Sequence, residues 1–349
     1  MEVAVEYEYG KYLEFESEGI TYIFGGDTNV KWKLYRGLKR FSTGKMLSEI
    51  EEHVYGDDGI VICVKGKQIK AKDINLLLLD NRESFFEDLR ISRGSMMSQF
   101  INTLQGEFEI TKKIDVLNDE ILDLEIIFQK KFSNLFTTVR PILKQFTFAD
   151  ILKSSLGLSY YEAGNEYPLE MMDVTTVIDD YCDILDYNLK KMQKETWMWI
   201  MNPNAFVDSN TFSHFINRLK KICSETNLLR VFIISDESLG IRHYEDDVAN
   251  TVLVFQNEQQ QMPEFDDLIN SIERYYPDRL SYGRSELLQS LYRIFPYVGY
   301  QKREDIYLKP RDMVLLKVVS QLLDISCREK CLDFNAELTN LELKYLQNE

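Results

Sequence analysis

Residues 24–33, FGGDTNVKWK, lie between the apolar run GITYIF (19–24) and the segment LYRGLKRF (34–41), whose apolar residues have helical spacing. An apolar strand, a glycine turn and a helix in this order form the loop that holds phosphate groups in many nucleotide-binding proteins, because backbone N–H groups at the helix start point at the anion. The stretch therefore predicts an α/β fold with a nucleotide-type loop at its centre.

The residues that carry nucleotide chemistry are missing from this loop. The pattern G-x-x-x-x-G-K-[ST] needs a second glycine for its backbone angles and a hydroxyl for magnesium. Counted from Gly25, Lys31 is in register, but Val30 stands at the second glycine and Trp32 at the hydroxyl residue. Valine resists the dihedral angles that glycine supplies, and tryptophan cannot coordinate magnesium. We predict that this loop, with Gly25 and Gly26 at its turn, is non-functional in nucleotide binding.

Two later segments also lack the groups that ATP hydrolysis requires. In WMWIMNPNAFVD, Met201 and Asn202 stand where an aspartate for magnesium and a glutamate base would end the strand. The segment LLRVFIIS is followed by Asp236 and Glu237, and the next histidine is His243. Each difference alone also fits an ordinary turn or loop start. The three together, in this order, predict a degenerate ATPase-like head of the transporter and chromosome-maintenance type.

Seven short apolar runs predict strands of a mixed sheet that is covered on both faces. They are EVAVEY (2–7), GITYIF (19–24), GIVICV (59–64), INLLLL (74–79), WMWIM (197–201), LRVFII (229–234) and TVLVF (251–255).

Between residues 80 and 195 the pattern is helical, with an apolar stripe at spacings of three or four. The stripe consists of Ile110, Ile114, Leu117, Ile121, Leu124 and Phe128. We predict four parts: residues 1–80 and 195–260 form the two parts of an α/β head, residues 81–194 form a helical insertion or leg, and residues 261–349 form a C-terminal helical extension.

Composition narrows the classes of function. The formal net charge of −16 argues against diffuse nucleic-acid binding, so any DNA site must be a local basic cluster. The five cysteines predict reduced thiols, and Cys327 and Cys331 lack further ligands for a zinc site. No segment is long and apolar enough to predict a membrane helix, so a cytoplasmic protein without a membrane partner is expected.

Three stretches resemble the type II-A CRISPR-associated adaptation protein family in its large, Streptococcus-type form. They are FADILKSSLGLSYY (148–161), VIDDYCDILDYNLKKMQKETWMWIMNPNAFVDSNTFSHFINRL (177–219) and TNLLRVFIISDE (226–237). The resemblance implies an ATPase-type head without ATP turnover, protruding helices, and a homotetrameric ring around linear double-stranded DNA during spacer acquisition. It also implies partners among the other adaptation proteins, namely the integrase complex and the effector nuclease.

The sequence departs from this family at the calcium site. Smaller members carry dense acids just before the Lys-Ser-Leu-Gly-like turn, whereas TTVRPILKQFTF (137–148) has none, which argues against a calcium ion there. Other acids are typical of solvated helix faces or, alternatively, of a metal site. These acids are Asp115, Asp119, Glu120, Asp123, Glu125, Asp179, Asp180, Asp183 and Asp186. We expect no metal and no cofactor.

Basic residues gather in four clusters that are candidates for DNA contact. The clusters are Lys31, Lys33, Arg36, Lys39, Arg40 and Lys45; Lys65, Lys67, Lys70 and Lys72; Lys112, Lys113, Lys130 and Lys131; and Arg218, Lys220 and Lys221. On a helix, Lys33, Arg36 and Arg40 share one stripe, with Trp32, Tyr35 and Leu38 toward the sheet. For each single cluster the alternative is an exposed face that balances nearby acids.

The expected function is non-catalytic. The three histidines are far apart in the sequence and outside any recognised motif, so neither nuclease nor ATPase activity is predicted. A ring that binds double-stranded DNA without reading its sequence is the first hypothesis. A protein–protein scaffold of the adaptation complex, with little direct DNA binding, is the alternative.

Overall fold

The computed structural model describes residues 1–43, 48–55, 60–300, 308–325 and 338–347. Lys45, Cys327 and Cys331 lie outside these residues. The chain divides into two compact units, Met1–Ser84 with Leu189–Glu349, and Phe85–Asn188. The described residues from 261 onward fall in the first unit. In the described ranges, no helix has both the length and the apolar character needed to cross a membrane.

The described strands and helices follow one another in this chain order. The strands are β1 (Glu2–Glu8), β2 (Lys11–Glu16), β3 (Ile20–Phe24), β4 (Ile62–Val64), β5 (Lys67–Ile69), β6 (Asn75–Leu79), β7 (Tyr160–Glu162), β8 (Asn165–Tyr167), β9 (Thr196–Met201), β10 (Leu229–Ile234), β11 (Thr251–Phe255) and β12 (Glu258–Gln261). The helices are α1 (Thr28–Thr43), α2 (Glu49–Tyr55), α3 (Arg82–Leu89), α4 (Met96–Thr103), α5 (Phe108–Phe132), α6 (Phe148–Ser154), α7 (Val174–Met192), α8 (Ser209–Thr226), α9 (Asp246–Ala249), α10 (Phe265–Tyr275), α11 (Arg284–Ile294), α12 (Pro310–Leu322) and α13 (Asn340–Gln347).

The first unit contains a six-stranded mixed sheet in the order β12-β11-β3-β10-β9-β6. Strands β11, β3, β10, β9 and β6 are parallel, and β12 pairs antiparallel at one edge. Every residue of β3 and β11 is buried, as near-continuous apolar runs predict for strands covered on both faces. The seven strands predicted from these runs and the mixed α/β class are confirmed.

A second sheet of the same unit is antiparallel, in the order β2-β1-β4-β5. Its apolar face and the buried side of α1 share one core with the six-stranded sheet, where Phe15 of β2 meets Phe232 of β10 with ring centroids 5.7 Å apart. Sequence patterns missed β2, β5 and β12, because these strands contain many charged or amide residues and few apolar ones. Their strand conformation depends on pairing with β1, β4 and β11.

The second unit contains a long helix that its own chain leaves largely uncovered. Helix α5 has 25 residues, none of them buried. The extended segment that follows is held by polar side chains of α5: Asn118 exchanges two hydrogen bonds with the backbone of Phe146, and Glu125 accepts one from the N–H of Leu143. The contacts between α5 and this extended segment are polar, and the apolar residues of α5 remain largely accessible to solvent.

The predicted helix is therefore confirmed, and its apolar stripe is only partly covered. Leu117, Leu124 and Phe128 are 50%, 45% and 42% exposed, while Ile110, Ile114 and Ile121 are only partly buried. We call Leu117, Leu124 and Phe128 the exposed α5 stripe. The hairpin of β7 and β8 was also not expected, because the sequence predicted helices throughout this region.

A partly buried carboxyl in the second unit makes stability depend on pH. Asp88 accepts a hydrogen bond of 2.9 Å from the Tyr181 hydroxyl, and burial raises the pKa of Asp88 to about 6. Because this pKa lies above the value of an unfolded aspartate, the contribution to stability is full below about pH 4 and is lost as the pH rises through about 6.

We expect the free energy of unfolding of this unit to fall by up to about 3 kcal/mol between about pH 4 and pH 7, and the variant Asp88→Asn to lack this dependence. Hydrogen exchange of amides in the second unit, followed across that range, measures the effect. Identical pH profiles for the two proteins would contradict it.

Candidate functional site

The glycine turn is built at the centre of the six-stranded sheet, between β3 and α1, as the sequence predicts. Gly25 has φ +110°, and a Cβ there would lie 2.1 Å from the carbonyl oxygen of Val254. A Cβ on Gly26 would lie 2.2 Å from the backbone nitrogen of Tyr300. Both glycines are thus required by the close approach of the protein's own backbone.

Protein carbonyls, rather than open space, meet the N–H groups of this loop. The N–H of Gly26 donates to Val298 O at 2.7 Å, and that of Asp27 donates to Val254 O at 3.2 Å. The Asp27 carboxylate accepts from the N–H of Val30 at 3.0 Å. A phosphate would need these same N–H donors. In this loop they are already used in hydrogen bonds within the protein.

The lysine that a nucleotide would require is sealed inside the fold. Lys31 is 2% exposed, its ammonium forms an ion pair with the Asp236 carboxylate, and it donates to Ser235 O at 3.2 Å. Burial lowers the pKa of Lys31, and the neighbouring carboxylate of Asp236 opposes that shift. Lys31 was a candidate for DNA contact, and its burial corrects that assignment.

Residues just after β9 and β10 contact each other beside the Lys31–Asp236 ion pair. Asn202 donates from Nδ2 to Asp236 Oδ2 at 2.9 Å, and the N–H of Asp236 donates to Asn202 Oδ1 at 2.8 Å. Met201 ends β9 and packs against the core. The three places that the sequence marked as altered are therefore adjacent, and an asparagine–aspartate–lysine network occupies them.

Placing the residues of the nucleotide-loop pattern at positions 30 and 32 should not create nucleotide binding. Val30 is part of the core and Trp32 is 57% exposed. We expect Val30→Gly with Trp32→Thr, and Trp32→Thr alone, to show no ATP binding, because the donors of Gly26 and Asp27 and the Lys31 ammonium remain engaged. Calorimetry with Mg-ATP measures this, and circular dichroism checks the fold. A dissociation constant for Mg-ATP of about 100 μM or lower in either variant would contradict the closed loop.

The basic residues of α1 are mostly paired within the chain. Lys33 meets Glu8 at 2.6 Å, Lys39 meets Asp80 at 3.3 Å, and Arg40 meets Glu51 at 2.6 Å. Arg36 is exposed and also has an interaction partner. The predicted cationic stripe is therefore largely neutralised by acids that are distant in sequence.

The predicted orientation of the apolar residues on α1 holds only in part. Leu38 is buried as expected, and Tyr35 is partly buried with its hydroxyl bonded to Asp80. Trp32 projects into solvent instead of facing the sheet. The reason is that Val30, Leu34 and Leu38 already fill the buried side of α1.

The lysines of the second cluster form an exposed hairpin. Strands β4 and β5 pair Val64 with Lys67, so that Lys65 and Gly66 form a two-residue turn with φ values of 49° and 73°. Four exposed lysines lie on or beside this hairpin: Lys65, Lys67, Lys70 and Lys72. No described carboxylate lies within ion-pair distance of any of the four. We call these four residues the hairpin lysines.

The other two clusters are interleaved with acids. Near the two ends of α5, Lys112, Lys113, Lys130 and Lys131 are exposed. Between them on the same helix lie Asp115, Asp119, Glu120, Asp123 and Glu125. Lys220 pairs with Asp247 at 2.8 Å, and Lys221 meets Glu225 at 3.8 Å. Arg218 is partly buried and has a partner. The hairpin lysines thus differ from the α5 lysines, which also form no ion pair with a described residue, in having one neighbouring acid in sequence, Asp73, instead of several between them.

The acids considered for a metal do not converge among the described residues, where no group of three or more potential ligands could hold an ion. Asp150, which follows the acid-free segment, caps α6 by accepting from Thr147 N at 2.9 Å and pairs with Lys144 at 3.0 Å. These bonds lower the pKa of Asp150 and use its carboxylate for local structure.

The fold and this site define a mixed α/β protein with a closed loop of nucleotide-binding type. In sequence, no protein-family model and no curated protein matches the chain. In structure, it is similar to Stu0660 of Streptococcus thermophilus, with a TM-score of 0.85 at 16% identity over 99% of both chains. At this identity the similarity shows the fold alone.

Two further solved structures have lower scores. One is an SmcHead bound to the C-winged helix domain of ScpA, with a TM-score of 0.42 at 10% identity over 76% of this chain and 98% of that chain. The other is cbiO1 from Clostridium perfringens, part of the ABC transporter complex cbiONQ, with a TM-score of 0.38 at 12% identity over 78% and 92%. These scores are too low to assign a shared fold.

Proposed function

We propose that this chain is a non-catalytic protein that binds the ends of double-stranded DNA without reading sequence, as a homotetrameric ring, during acquisition of CRISPR spacers. The observation that carries the proposal is the group of hairpin lysines, which stay exposed and unpaired among the described residues of a chain with a net charge of −16. The link to spacer acquisition comes from the family resemblance over residues 148–237.

The hairpin lysines suit a grip on phosphates. Long side chains on a short turn reach a backbone of regularly spaced charges, and phosphate contacts hold DNA without reading bases. Four copies around one axis multiply the local positive charge fourfold. The acidic remainder of the chain repels DNA elsewhere and directs it to the basic cluster.

The closed loop supports the absence of catalysis. Lys31 is committed to Asp236, and the helix-start donors are committed to Val298 and Val254. We interpret the head as a degenerate ATPase-type fold in which these internal bonds replace a nucleotide. No ATP, no other cofactor and no metal is part of the proposed function.

The exposed α5 stripe supports self-association. An uncovered apolar stripe on a long helix is costly in water and is usually covered by a partner. A second copy of the same chain is the partner we propose, since a homotetramer brings identical helices together.

A salt titration with two DNA forms tests the proposal. We expect tight binding of linear duplex that weakens steeply with salt, and much weaker retention of covalently closed circles, because a ring needs an end to thread. Mass measurement in solution should give four chains with and without duplex. Equal binding to both DNA forms would overturn the ring, and loss of all duplex binding at about 50 mM salt would overturn the DNA site.

The alternative function, a scaffold of the adaptation complex, is favoured by the same exposed α5 stripe. In that case the stripe would be covered by the integrase complex or the effector nuclease, and duplex binding would be weak at low salt. The titration above separates the two hypotheses, because only the DNA-binding ring predicts a steep salt dependence.

A further inference from the structure

A cavity of about 440 Å³ lies among the C-terminal helices of the first unit, at the start of α12 and beside α11. Its lining is Tyr282, Glu286, Ser290, Arg293, Lys309, Arg311 and Asp312. The cavity contains three cationic side chains and is separate from the closed loop and the hairpin lysines. Its volume falls within the range typical of small-ligand sites, which is about 300–1,000 Å³.

One of these cations is fixed in orientation by buried groups. Arg293 donates from Nε and Nη2 to the two carboxylate oxygens of Asp312, at 2.7 and 3.1 Å, and from Nη2 to Ser290 Oγ at 2.7 Å. Asp312 and Ser290 are almost completely buried. Among the described residues, Arg293 Nη1 has no hydrogen-bond partner. A guanidinium whose Nε and Nη2 are fixed by hydrogen bonds, with Nη1 still available as a donor, is suited to bind an anion.

The other two cations, Lys309 and Arg311, have no ionic partner within the described ranges, where no carboxylate lies within ion-pair distance of either. The hydroxyl of Tyr282 is shielded from solvent and has no hydrogen-bond partner among the residues that the structure describes. A buried hydroxyl without a partner is unfavourable unless a ligand or water completes it. These observations point independently to an acceptor-rich molecule in the cavity.

We propose that this cavity binds a small phosphorylated molecule of about the size of a sugar phosphate. Arg293 Nη1, Lys309, Arg311 and the Tyr282 hydroxyl are the donors for the phosphate group. A bare phosphate would leave most of the volume unfilled, and Glu286 supplies an acceptor for hydroxyl groups of the ligand. This site is independent of DNA binding and of the proposed ring.

Calorimetry on the full chain with ribose 5-phosphate, inorganic phosphate and ribose tests the proposal. We expect ribose 5-phosphate to bind more tightly than inorganic phosphate, and ribose not to bind. The double variant Lys309→Gln with Arg311→Gln should weaken ribose 5-phosphate binding by at least about 30-fold, because two charge-assisted contacts are lost. Arg274→Gln, an exposed charge change on α10, should leave binding unchanged.

A second variant separates ligand contact from structural support. Tyr282→Phe removes only the unpartnered hydroxyl, so we expect about tenfold weaker binding with no loss of thermal stability in the free protein. Neutralising the hairpin lysines should leave ribose 5-phosphate binding intact. Absence of binding at 10 mM, equal affinity for inorganic phosphate, or binding insensitive to both cavity variants would overturn the site.

Discussion

Neutralising the hairpin lysines by Lys→Gln at positions 65, 67, 70 and 72 is expected to lower the affinity for linear duplex by at least about 100-fold at 0.1 M salt. Each phosphate contact contributes to counterion release, so loss of four lysines in every copy removes much of the favourable free energy and flattens the salt dependence. Fluorescence anisotropy with a short labelled duplex over a range of salt measures both quantities. The lysines are exposed, so thermal stability should not change.

The matched control carries the same kind of charge change on α1. Lys33→Gln, Lys39→Gln and Arg40→Gln remove cations that are already paired with Glu8, Asp80 and Glu51. We expect affinity to change less than about threefold, because a paired cation contributes little net charge to a distant phosphate. The reverse outcome, with loss of binding on α1 and none at the hairpin, would make the α1 stripe the DNA site and contradict the proposal.

The double variant Leu117→Glu with Leu124→Glu is expected to dissociate the assembly into smaller species at micromolar concentration. Both side chains are already partly exposed in the single chain, so the charge costs the monomer little. In an interface that covers the stripe, two unpaired carboxylates in each copy would be desolvated, at a cost of several kcal/mol. Light scattering coupled to size-exclusion chromatography measures the mass.

Asp119→Lys is the control for this prediction. Position 119 is two residues beyond Leu117, which puts it on nearly the opposite side of the helix, and it is exposed. The mass should therefore remain that of the wild type. If both variants keep the wild-type mass, α5 is not the interface; if the wild type itself is a monomer, the ring is excluded.

Much of the first unit follows from local sequence. Long apolar runs such as those of β3 and β10 specify buried parallel strands, and Val30 and Trp32, counted from Gly25, place the loop outside the G-x-x-x-x-G-K-[ST] pattern. The edge strands β2 and β12 could not be predicted in the same way. Their backbones are held by long-range bonds, including one of 3.0 Å from the N–H of Glu14 to the Gln259 side chain.

The basic clusters proposed for DNA contact could likewise be predicted only in part. The sequence placed basic residues in clusters, but it could not show which cations are neutralised, since Glu8, Glu51 and Asp80 lie outside any local pattern with α1. The hairpin lysines differ from those of α1 because no described carboxylate lies within ion-pair distance of their ammonium groups, although the Asp73 carboxylate accepts from the N–H of Lys70. The same limit applies to α5, because residue periodicity predicts an apolar stripe but not what covers it.

The sequence by itself determined the order of strand, glycine turn and helix, and that Val30, Trp32, Met201 and Asn202 stand where an ATPase would carry a glycine, a hydroxyl and two acids. Only the tertiary structure decided that Lys31 is buried against Asp236 and that the loop donors bind Val298 and Val254. Residue spacing fixes backbone conformation and which side of an element is apolar. Burial and charge pairing depend on groups outside the local pattern, as near in sequence as Arg40 and Glu51 or as far as Lys31 and Asp236, which only the packed fold brings together.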